Sequence, residues 1–146
     1  MSSVATVSSE AQQVEQVVAG RIWWVGLLAI VISVGVNSLV RIIALIVFDI
    51  SPRFSPLANP GPVITLTVIG VFGAVIVFAI ISKFSRRPVR LFRIIAAVVL
   101  LISFLPDLRM LALPGIKTQA VLTLMLMHVI AAVVSVWMLT TMTREQ

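Results

Sequence analysis

The stretch VISVGVNSLVRIIALIV, Val31–Val47, decides the fold, because it places Asn37 and Arg41 inside an apolar run that extends far enough to cross a bilayer. An arginine at the centre of a membrane helix costs roughly 2.5–3.5 kcal/mol on insertion scales, so such a group is turned into a bundle and away from lipid. Residues 22–48 carry seventeen Leu, Ile, Val or Phe. Each contributes about −0.3 to −0.6 kcal/mol near the bilayer centre, and even the low end, about −5 kcal/mol in all, outweighs Arg41. Insertion wins, and the rest of the chain has to shelter the charge. Ala29, Ser33, Asn37, Arg41 and Leu45 fall four apart, which puts them on one helix face. That face is predicted to point inward.

Working outward, the whole chain reads the same way. Its 146 residues are 60% hydrophobic and only 11% charged, with a mean hydropathy of +1.18, which belongs to a membrane protein and not to a soluble domain. There is no cysteine, so disulfides, thiolate chemistry and cysteine metal sites are excluded. One histidine and five carboxylates, two of these in the first twenty residues and one at the C-terminus, provide neither a multi-ligand metal cluster nor an acid/base dyad. No catalytic residue, metal or cofactor is expected. The net charge of +6 does not imply nucleic acid, since the basic residues sit where a membrane topology needs them.

Residues 1–20 form a polar segment with Glu10 and Glu15 and no basic residue before Arg21, unlike a cleaved secretory signal. Ser9 followed by Gln12 fits a capping box, which lets a helix begin there and run into the first span, about 22–48. Trp23 and Trp24 mark the headgroup level at its start. Residues 49–62, DISPRFSPLANPGP, hold four prolines and a glycine and read as an external loop. The second span is about 63–82, with Gly70 and Gly73 as flat spots for a neighbouring backbone.

The strongest topological signal is KFSRRPVRLFR, residues 83–93, where Lys83, Arg86, Arg87, Arg90 and Arg93 are accompanied by no acid. Placing it inside gives seven basic residues inside, counting Arg21 and Arg144, against three outside, Arg53, Arg109 and Lys117. Both termini are then cytoplasmic, and the chain is an all-α transmembrane four-helix bundle, multi-pass in the cytoplasmic (inner) membrane of a bacterium. The same five side chains suit anionic lipid headgroups, at about 1 kcal/mol each near such a surface. The third span, about 89–105, has an uninterrupted apolar core of only twelve residues, 94–105, and Pro106 ends or kinks it. Residues 107–114 either lie in the interface or prolong that helix. The fourth span is about 119–142, so the membrane domain covers 21–143.

At 1.5 Å per residue, Arg41 lies about 10 Å below the outer end of its span, Asn37 about 16 Å and His128 about 14 Å. Ser103 and Asp107 stand at the outer end of the third span. These five residues are predicted to form one polar cluster in the outer half, with Arg41 reaching Asp107 and with Asn37 and His128 hydrogen-bonded below. Two roles fit it: a structural clamp made of interhelical hydrogen bonds, or a ligand or proton site that uses the histidine.

The runs SFLPD at 103–107 and LTLMLMHVIAAVVSV at 122–136, with an Asn-bearing first span and a basic loop after span two, resemble a family of small four-span bacterial membrane proteins of unknown function. The likeness spans 21–140 and rests on an S-x-x-P end to span three and an M-H-x-x-A-A core in span four. It implies a four-helix membrane bundle and adds no activity. The function expected is a non-enzymatic accessory or assembly subunit of a membrane complex, with a membrane-protein partner or a second copy of itself. The alternative is a small transporter or channel.

Overall fold

The computed structural model describes residues 19–48 and 55–143, and all its regular structure is helical. The N-terminal capping box at Ser9, with Asp49, Arg53 and Arg144, lies outside the described residues. Four long helices, α1 (Ala19–Val47), α3 (Pro60–Phe84), α4 (Pro88–Met110) and α5 (Thr118–Thr141), are each long and apolar enough to cross a membrane. At 1.5 Å per residue the shortest, of 23 residues, measures about 35 Å against a hydrocarbon core of about 30 Å. A single turn, α2 (Ser55–Ala58), precedes α3.

Proline sets two of the starts. Pro60 and Pro62 stand in the first turn of α3, and Pro88 opens α4, positions where a missing N–H costs nothing. Two expectations are corrected here. Within 49–62, expected as loop, residues 55–58 make a helical turn and α3 begins at Pro60 rather than 63. The third helix does not stop at 105: it carries Pro106 inside and runs to Met110, so Asp107 is a helical residue. Membrane helices tolerate an internal proline because neighbouring groups and local adjustments satisfy the freed carbonyl. Gly115, at φ +85°, takes the left-handed turn that a Cβ would strain, and the chain reverses into α5.

α1 buries the face its sequence marks: Ala29, Ser33 and Asn37 are buried in line, with Ile22 and Val25 below and Ala44 above. Between apolar helices in lipid there is no hydrophobic drive, so small residues that let backbones approach set the contacts. Gly26 is the plainest case, since a Cβ there would lie 2.7 Å and 2.8 Å from the two methyl groups of Val75. Gly70 and Gly73, expected to admit a close neighbour, meet nothing within 4 Å.

α1 packs against α3 and α5, while α4 rests chiefly on α5. The basic stretch 83–93, expected as a loop, is helical except for residues 85–87; one apolar cluster, including Val75, Phe78, Phe92 and Leu139, occupies that end, where Phe78 and Phe92 meet edge to face at 4.9 Å. A second, including Ala44, Leu57, Val63 and Met127, closes the opposite end. The polar groups lie between and around these two.

Candidate functional site

Arg41 is half-buried and donates from Nε to the Leu57 carbonyl and from Nη2 to the Ala58 carbonyl, both at 2.8 Å. Those oxygens end the α2 turn, where carbonyls lack intrahelical donors and the helix dipole is negative. The guanidinium therefore fixes α2 to the bundle, and Leu57 is fully buried beneath it. The expected Arg41–Asp107 pair is not formed: the planar, five-donor fork is taken up by the two carbonyls at the end of α2.

Asp107 meets His128 instead, with Oδ2 3.2 Å from Nδ1. The same Nδ1 lies 2.8 Å from the Leu124 carbonyl, one turn back on α5. A ring nitrogen facing two acceptors is assigned the proton, so Nδ1–H donates to Leu124, held beside the carboxylate, and Nε2 is the nitrogen that neither contact engages. Asp107 Oδ2 has no hydrogen bond of its own, which leaves the contact with His128 as an electrostatic one.

Asn37 donates from Nδ2 to Thr67 Oγ1 at 3.1 Å and to the Met127 carbonyl at 3.4 Å, joining α1, α3 and α5 at one level. A backbone carbonyl accepts only from the amide nitrogen, which settles the orientation of the side chain and leaves Oδ1 buried without a donor. Ser103 bonds within its own helix, to the Leu100 carbonyl at 2.7 Å.

Asn37, Ser103 and His128 all line one cavity of about 360 Å³ between α3, α4 and α5. Its cause is local. α4 is buried at its two ends, through Pro88, Val89 and Phe92 and through Asp107, and nowhere along its middle. Facing that middle are Gly70, Ala74, Ala131 and Ala132, with Ala96 on α4 itself. Helices held apart by Phe92 at one end and by the Asp107–His128 contact at the other cannot close over side chains this small. Leu66, Ile69 and Val99 edge the gap and are exposed, so at this depth it opens toward acyl chains.

Of the five residues expected to cluster, four are thus associated: Asn37, Ser103 and His128 on the cavity, Asp107 against His128. Arg41 is engaged elsewhere. Lys83, Arg86, Arg87, Arg90 and Arg93 are exposed at one end of the bundle. Thr67 was missed: a hydroxyl on α3 is the kind of partner an intramembrane amide needs, but counting 1.5 Å per residue puts it about 10 Å into its helix against about 16 Å for Asn37, so depth alone does not pair them.

The sequence model of the Family of unknown function (DUF6069) matches residues 17–145. No curated protein and no solved structure matches the chain.

Proposed function

Taking as premise that the chain belongs to DUF6069, a family of unknown function, we propose that it is a non-enzymatic accessory or assembly subunit of a membrane complex. The observation that supports this is where its intramembrane polar groups are spent. Arg41 holds the α2 carbonyls, Asn37 ties three helices together, and Asp107 and His128 hold each other. Groups so engaged stabilise a fixed arrangement of helices rather than carry a reaction.

The bundle sits in the cytoplasmic membrane of a bacterium with both termini and the turn between α3 and α4 inside, where the five basic side chains of 83–93 meet anionic headgroups. Crosslinking in intact membranes followed by purification in mild detergent tests the subunit role. The expected result is a membrane-protein partner at fixed stoichiometry; a bare monomer recovered from several mild detergents refutes it.

The second reading, a small transporter or channel, draws on the cavity. Against it, among the described residues no ionisable side chain lies between the level of His128 and the basic end of the bundle, Arg21, Lys83, Arg90 and Arg93. Liposome flux of protons or small anions that falls in Arg41→Ala and His128→Ala supports this reading, and flux that is absent or unchanged removes it.

A further inference from the structure

We propose that the cavity between α3, α4 and α5 binds a neutral, hydroxyl-bearing amphiphile drawn sideways from the bilayer, its hydroxyl held at the level of His128 and Asn37 and its chain laid along the alanine wall. The site goes beyond the subunit role and does not depend on it.

Size and shape come first. A volume of about 360 Å³ falls in the range of ligand pockets, which are mostly apolar with a few placed polar groups. Along α4 the lining runs from Ser103 to Phe92. Those eleven steps at 1.5 Å come to about 16 Å, half of a hydrocarbon core of about 30 Å, and so the reach of one leaflet's chain. Phe92 closes one end, and the polar groups stand toward the other.

The polar groups select the head. Asn37 is 2% exposed and touches the cavity, and its buried Oδ1 has no donor in the protein. His128 has a side chain 39% exposed, and its Nδ1 is committed to Leu124 and Asp107. Its remaining nitrogen, Nε2, is an acceptor in that tautomer. An accessible acceptor on the cavity wall calls for a donor, which a hydroxyl supplies.

Charge excludes the commonest lipids. An anionic phosphate held at His128 would lie one imidazole ring away from the Asp107 carboxylate, which is 3.2 Å from Nδ1 on the other side of that ring. The nearby guanidinium, Arg41, is turned onto the Leu57 and Ala58 carbonyls. The basic cluster of residues 83–93, which flanks the short turn between α3 and α4, lies at the opposite end of α4 from Asp107. A hydroxyl head such as that of a monoacylglycerol therefore fits where a phosphate head does not.

Photoaffinity labelling of the full chain in phosphatidylcholine vesicles tests this, with a diazirine-bearing monoacylglycerol as the probe. Label is expected on the peptides around Ala96–Ser103 and Leu124–Ser135, competed by unlabelled monoacylglycerol and not by lysophosphatidic acid of the same chain length. Gly70→Phe should cut labelling more than tenfold, because a Cβ there meets nothing within 4 Å and the ring grows into the open space. Ala96→Phe fills the same gap from α4 and serves if the first variant folds poorly. His128→Phe, which keeps the ring and removes the acceptor, should weaken competition by roughly five- to tenfold, the loss of one hydrogen bond. Label spread evenly over the four helices, equal competition by the phosphate analogue, or undiminished labelling in folded Gly70→Phe or Ala96→Phe protein would each overturn the proposal.

Discussion

Replacing Arg41 by methionine keeps most of the apolar stem and removes both donors to the α2 carbonyls. Hydrogen bonds to a charged group contribute about 1.5–3 kcal/mol each; Arg41 is only half-buried, so the lower end applies, and two bonds come to about 3 kcal/mol. For a chain of this length each kcal/mol moves Tm by about 2–4 °C, so thermal unfolding in mild detergent should fall by roughly 10 °C. Arg41→Lys should lose about half as much, because an ammonium is a point charge and does not reproduce the fork. Hydrogen exchange localises the effect: amides of 55–62 should exchange faster in Arg41→Met, while those around Gly26 and Val75 keep their protection. A double-mutant cycle with Asp107→Asn separates this account from the pairing that the sequence alone suggests. Since the two side chains are not partners, their coupling should stay below about 0.5 kcal/mol. A coupling above about 1.5 kcal/mol, or an unchanged Tm in Arg41→Met, would refute the reasoning.

Three further outcomes are expected. Gly26→Ala should destabilise by about 1–3 kcal/mol through overpacking, and Val75→Ala in the same chain should restore much of that loss, measured by thermal unfolding of the single and double variants. Nitrogen NMR of neutral His128 should show the proton on Nδ1, where the Leu124 carbonyl and Asp107 hold it; an Nε2–H tautomer would contradict the site geometry. The chain has no cysteine, so a single Ser85→Cys can report topology. A membrane-impermeant maleimide should leave it unlabelled in intact cells and label it in inverted vesicles, and the reverse pattern would turn the bundle over.

How much of this was readable beforehand depends on which atoms make the contacts. The inward face of α1 was legible because Ala29, Ser33 and Asn37 repeat every four residues, and a helix turns that repeat into a stripe. Four membrane-length helices were legible because hydropathy and length are properties of the chain itself. Arg41's partners were not, since backbone carbonyls at a helix end leave no mark in the pattern of side chains, and a carboxylate is the partner that a sequence displays. Nor could composition tell Gly26 from Gly70. Both are glycines in apolar helices, but one lies under Val75 and the other on open space, a difference made only by how α1, α3 and α4 come together. The end of α4 stood open between a stop at Pro106 and a prolonged helix, because a missing N–H removes a single bond and the sequence does not say whether the helix resumes; it does, to Met110.

The gap edged by Leu66, Ile69 and Val99 has a consequence for how anything inside it is measured. A molecule that enters there comes out of the lipid phase, so occupancy follows its mole fraction in the bilayer and not its aqueous concentration. Diluting the buffer should leave such a molecule in place, while adding empty vesicles or detergent micelles should strip it away.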